Sequence, residues 1–162
     1  VAGAQGKSLE QSVKGAYLYK FAPFVSWPAE AFPAASAPFI ICVLGNDPFG
    51  PALDQAISAQ RVSGRGFAVR RLSRVTGSEP CQILYLGGAS AEVNAQALRA
   101  VRGRPVLTVT DHAVGGSARG VVHFVLDRDR VRFHLDLRQA RRNGIALSSK
   151  LLGVALSVAG TP

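Results

Sequence analysis

The chain has 162 residues, 48% of them apolar, enough for one domain whose core needs neither a metal nor dense crosslinking. No apolar run approaches the roughly 18 to 20 residues that cross a bilayer, so a spanning helix is excluded from this stretch of sequence. The net charge of +9 is lopsided: residues 1–60 are close to neutral, whereas residues 61–162 carry sixteen Lys or Arg, fifteen of them Arg, against six acids.

Residues 1–8 are small and polar and read as a flexible start, with a single domain over 9–160. The chain opens on Val1 and contains no Met, as a product whose signal peptide has been removed would. From Leu9 to Val25, the apolar positions Leu9, Val13, Ala16, Tyr17, the stem of Lys20, Phe21 and Phe24 recur at helical spacing, with Ser8 as N-cap and Glu10 in the first turn. Pro23 shortens the last turn of that helix, and the pair Trp27 and Pro28 ends it.

Phe39–Leu44 is a continuous apolar run of buried-strand type. Asp47 and Pro48 then predict the N-cap and first residue of a helix running to Gln60. Phe67–Leu72 and Cys81–Leu86 predict two further strands, each preceded by Gly or Pro punctuation. Ser90 caps a helix over Ala91–Arg102, and Pro105–Thr110 predicts the next strand. Val121–Leu126 and Arg130–Asp136 form a hairpin by spacing and turn chemistry, the second run alternating apolar Val131, Phe133 and Leu135 with polar neighbours. Leu137–Asn143 predicts a short basic helix stopped by Gly144, and Ser149–Ala159 a final apolar helix. The alternation of strands and helices gives the fold class: α/β, a mostly parallel mixed sheet flanked by helices, with a C-terminal antiparallel hairpin at its edge.

The chemistry-bearing residues match no catalytic signature. Cys42 and Cys81 lack zinc or redox spacing and stand as two buried thiols or one disulfide. His112, His123 and His134 recur every eleven residues, which is no metal-ligand spacing, and no metal site is expected. The glycine-rich segments reproduce neither the dinucleotide fingerprint nor the phosphate loop, and no Gly-x-Ser-x-Gly elbow is present, so neither a cofactor nor an enzyme is expected. Ser148 or Ser149 near Lys150 is a capped helix start. The Arg residues lack interleaved aromatics and any helix-turn-helix or finger pattern, which argues against nucleic acid. Arg138, Arg141 and Arg142 fall on one short helix, Arg138 and Arg142 on the same face, as an anion grip or a solvated surface.

Several segments together resemble one family. Val13–Pro28 (VKGAYLYKFAPFVSWP), Cys42–Gly50 (CVLGNDPFG), Cys81–Leu86 (CQILYL), Arg104–Asp111 (RPVLTVTD) and Gly120–Leu152 are similar, in the right order, to the YfiR-like family. The resemblance implies a non-enzymatic periplasmic regulator, often a homodimer. It would inhibit a membrane-bound diguanylate cyclase by binding its periplasmic domain, and an outer-membrane lipoprotein would relieve the inhibition. A small-ligand sensor coupled to another membrane receptor or kinase is the alternative. The resemblance also implies a disulfide between Cys42 and Cys81, which the periplasm permits. Partner anchors of the aromatic and Arg type are expected at Trp27, His134, Arg138 and Arg142.

Overall fold

A computed structural model of the protein describes residues 2–161, with side chains from Leu9 onward. The expected flexible start over 1–8 therefore falls on residues whose side chains, and for Val1 the backbone too, lie outside the described set. The first helix, α1, spans Ala2–Lys20. It runs through Ser8, which is consequently not its N-cap.

The α1 face differs from the apolar stripe read in the sequence. Lys14, Gly15, Leu18, Phe21 and Ala22 are buried, four of them (Lys14, Leu18, Phe21 and Ala22) at the i, i+4, i+7 and i+8 spacing of one helical face, while Leu9 is 67% exposed and Lys20 is exposed. The aromatic ladder of Tyr17 and Phe21 against Phe124 and Phe133 fixes this rotation. The helix also stops earlier than Val25. Pro23 lacks an N–H for the helical ladder, the chain tightens into a 3-10 turn over Ala22–Phe24, and Val25–Ser26 becomes a short strand, β1.

Strand β2, Phe39–Gly45, follows a second 3-10 turn at Ala29–Ala31. Asp47 does not cap a helix at Pro48. Its carboxylate accepts from the backbone N–H groups of Phe49 and Gly50, making a local turn, and α2 starts only at Pro51 and ends at Ile57. Strand β3, Arg61–Val62, pairs antiparallel with the start of β4, Arg65–Leu72, through the left-handed residues Ser63 and Gly64. The remaining elements are β5 (Ile83–Gly88), α3 (Ala91–Ala100), β6 (Leu107–Asp111), β7 (Val122–Asp127), β8 (Arg130–Asp136), α4 (Leu137–Arg142), β9 (Ala146–Leu147), α5 (Ser149–Val154) and β10 (Ser157–Ala159).

The main sheet has the order β10-β8-β7-β6-β5-β2-β4-β3, and a separate ribbon joins β1 to β9. Strands β4, β2, β5, β6 and β7 are parallel, and the β7–β8 hairpin turns on Arg128 and Asp129, both at positive φ as a two-residue turn demands. The hairpin is not the sheet's edge, and the last helix does not reach Ala159. After Val154 the backbone becomes extended, Leu156 N–H donates to Phe133, and β10 pairs in parallel with β8, covering its outer ladder. Val158 packs on the core from there, which outweighs the helical apolar pattern.

Helices α1 and α2 lie on one face, over a core that includes Phe39, Ile41, Val43, Phe49, Tyr85, Val109 and Phe124. Helix α3 lies on the other, over Cys42, Leu44, Leu84, Leu86, Val101 and Val106. Cys42 and Cys81 are disulfide-bonded beneath α3, with their Cα atoms 5.8 Å apart, tying β2 to the entry of β5.

Candidate functional site

In open parallel sheets the crevice where the strand order reverses is the usual ligand position. Here that point lies between β2 and β5, and it is filled. The backbone closes on itself there, Asn46 N–H donating to Gly88 O at 3.0 Å, and any Cβ on Gly88 would collide with the Asn46 carbonyl. Next to it, at the ends of β5 and β6, the fully buried Lys14 ammonium reaches the Asp111 carboxylate at 2.8 Å and also contacts Glu10. Asp111 accepts from the Tyr85 hydroxyl at 2.7 Å and from Ala113 N–H at 3.0 Å. Burial would raise the Asp111 carboxyl, but the bonds from Lys14, Ala113 and Tyr85 outweigh it and hold the carboxyl below its usual range. Burial, with Asp111 beside it, pushes the Tyr85 phenol up. This is a buried, hydrogen-bonded network that pins α1 to the ends of β5 and β6.

The open chemistry is on the α3 face. Asp136 caps α4, accepting from the N–H groups of Arg138 and Gln139 and from the Gln139 side chain. Asn143, buried at the end of α4, donates to Val106 O and accepts from Gly103 N–H, each at 3.0 Å, which fixes α4 against the turn that follows α3. Gln139 also donates to Arg119 O at 2.7 Å, while Thr108 and Thr110 accept from Val121 and Gly120 and seat the start of β7. These bonds bring α3, α4 and the 118–119 loop around one cleft of about 400 Å³.

Five arginines line it: Arg99 from α3, Arg102 from the turn after it, Arg119 from the loop, Arg138 and Arg142 from α4. All five are exposed, and none makes an ion pair among the described residues. Asp136 is the only acid in the lining, and its carboxylate is committed to the α4 cap. Like charges lining one cleft repel one another, and a bound anion relieves that repulsion.

Beside the cleft, on the same face, His123 and His134 face each other across the β7–β8 ladder with rings 6.5 Å apart and nearly parallel. His123 Nδ1 meets Thr110 Oγ1 at 2.8 Å, and His134 Nδ1 meets Ser157 Oγ at 2.6 Å. Burial first, then the Arg119 charge, holds His123 down to about 4 and lowers His134 in the same direction. The pair therefore faces the cleft neutral at neutral pH.

The residues picked from the sequence divide between two places. Arg138 and Arg142 lie in the arginine cleft and His134 lies beside it. Trp27 lies on the opposite face of the sheet, in a separate hollow of about 650 Å³ with Phe32, Phe39, Val62 and Arg65. Its ring meets Phe39 edge-on at 5.3 Å and its Nε1 donates to Ala22 O. Trp27 is thus partly a core residue. Arg65 closes the same hollow, its guanidinium 3.7 Å from the Phe32 ring centroid and bonded to the Ala34 and Ala37 carbonyls. Sequence reasoning missed Arg99, Arg102 and Arg119. The three-residue spacing of Arg99 and Arg102 was a visible signal, but that they face α4 depends on the strand order.

No cluster of three or more His, Cys, Asp or Glu close enough to hold a metal occurs among the described residues. No described helix is long and apolar enough to cross a membrane. No curated protein matches the chain. A family model described as YfiR/HmsC-like matches residues 11–156, which includes every strand of the main sheet except β10 and all the cleft arginines. On that match, covering nearly the whole length, the chain belongs to the YfiR/HmsC-like family.

Proposed function

We propose that this protein inhibits a membrane-bound diguanylate cyclase by docking on its periplasmic domain, acting by binding and not by catalysis. Membership of the family supports a periplasmic regulatory role in cyclic-di-GMP signalling, exerted through a protein partner. The observation that supports the finer reading is the basic α3/α4 face, where five arginines without ion pairs among the described residues line one cleft and suit an acidic surface. Arg138 and Arg142 act there as anchors, with His134 at the margin. Trp27 contributes through its exposed edge on the opposite face, so one partner reaches it only by wrapping an edge of the sheet or through a second copy of this chain in a homodimer. Release by an outer-membrane lipoprotein would then be competition for the same face.

The test is calorimetric titration with the periplasmic domain of a diguanylate cyclase from the same genome, repeated after disulfide reduction. Micromolar or tighter binding that weakens in Arg138→Ala and Arg142→Ala, together with lowered cyclase output, supports the reading. Absence of binding in both redox states overturns it.

A further inference from the structure

We propose that the arginine cleft is itself a binding site for a small diffusible anion bearing two or more phosphate or carboxylate groups. The inference does not rest on the cyclase reading, and its test uses this chain alone.

Three features distinguish the cleft from a merely basic surface. Its five arginines come from α3 and the turn after it, from the 118–119 loop and from α4, and line one open cleft, whereas Arg71 is neutralised by Asp47 and Asp54. The walls are preorganised by bonds that do not use the guanidiniums: Asn143 holds α4, Gln139 holds the Arg119 backbone, and Thr108 and Thr110 seat the loop. The five planar forks remain free to take oxyanions two bonds at a time, and one monovalent ion cannot neutralise five charges. The third feature is an adjoining hollow of about 250 Å³ that shares Ala95 and Ala118 with the cleft; its lining also includes the exposed Glu92 and Asp111, whose carboxylate is neutralised by Lys14 and bonded by Tyr85. Its wall carries Asn94, 4% exposed, whose carboxamide oxygen has no hydrogen-bond partner among the described residues. Buried carboxamides are nearly always satisfied, so an orphan here marks where the body of a bound molecule supplies a donor. A cleft of about 400 Å³ beside a hollow of 250 Å³ accommodates a small organic anion.

The experiment is isothermal titration of the whole chain with pyrophosphate and with citrate at matched ionic strength, alongside co-sedimentation with phosphatidylglycerol vesicles. Two cleft variants, Arg119→Ala and Arg142→Ala, are compared with Arg130→Ala at the hairpin, which removes the same charge away from the cleft. All three side chains are exposed, and thermal melts verify that each variant folds. The expected result is one-to-one binding of at least one probe, weakened about tenfold or more in each cleft variant and by less than twofold in Arg130→Ala. Equal weakening in all three variants would overturn the site in favour of diffuse charge. Absence of binding up to millimolar probe overturns it outright, and cleft-dependent binding to vesicles but to neither probe overturns it in favour of a lipid surface.

Discussion

Lys14 has no contact with solvent, and its charge is held by Asp111 at 2.8 Å and by Glu10. Such a pair adds little net stability when intact, but removing one partner leaves a charge stranded in the interior. Asp111→Ala is expected to cost about 3 to 5 kcal/mol in urea unfolding, whereas the joint replacement Lys14→Met with Asp111→Asn recovers most of that loss. Equal destabilisation by the single and joint variants would show that Lys14 is not the stranded group. His123 gives a second prediction at this scale. Its folded pKa is about 4, below the ordinary value of 6.5, so between these two values the unfolded chain binds more protons and acid favours unfolding. Stability falls as pH drops from about 6.5 to 4 by up to about 3 kcal/mol, and His123→Gln flattens that slope. Asp111, whose folded carboxyl is also depressed, adds its own loss at still lower pH, where it protonates. An unchanged slope in His123→Gln would remove the histidine from this account.

At the scale of elements, the Cys42–Cys81 bond joins β2 to the start of β5 under α3, across a separation of 39 residues. Closing a loop of that length lowers the entropy of the unfolded chain, so reduction or paired Cys→Ser replacement is expected to cost about 4 kcal/mol, read as a lower urea midpoint with an intact β-sheet spectrum. The bond lies in the cluster that seats α3, so reduction should also loosen Arg99 and Arg102 and weaken anion binding. Strands were the elements most legible in sequence, because continuous apolar runs such as Phe39–Leu44 and the alternation of Val131, Phe133 and Leu135 admit one reading. Helix limits were less so. Asp47 and Pro48 form an N-cap pair by type, yet the carboxylate closes its own turn and also receives Arg71 at 2.8 Å, an interaction 24 residues away that no local rule contains. Likewise Ser149–Ala159 is mostly apolar, and only the otherwise unpaired outer ladder of β8 decides that its end becomes strand. Of the cleft, the sequence showed the α4 pair, and Arg99 and Arg102 only as spacing. Arg119 was invisible because its place depends on a side-chain bond from Gln139 to its backbone.

For the whole molecule, the charge asymmetry seen along the chain becomes an asymmetry in space. Asp47 and Asp54 of the first half neutralise Arg71 of the second, while five arginines of the second half gather on the α3/α4 side with no ion pair among the described residues. Such a face attracts an acidic partner over a Debye length of roughly 8 to 10 Å at physiological salt, and this attraction acts on encounter more than on residence. Trp27 should behave oppositely. Its ring supports Phe39 and its Nε1 holds the Ala22 carbonyl, so Trp27→Ala is expected to cost about 3 kcal/mol of stability whether or not a partner is present. Under the docking proposed above, the two contributions separate in stopped-flow association with the periplasmic domain of a diguanylate cyclase. Arg138→Ala and Arg142→Ala should each slow association several-fold at low salt and converge on the parent rate near 0.5 M salt, with dissociation changed less. Trp27→Ala should leave the salt dependence of association intact and act through the folded fraction and the dissociation rate. If the arginine variants change dissociation alone, with a salt dependence equal to that of the parent, the basic face is a short-range contact surface and long-range attraction plays no part in assembly.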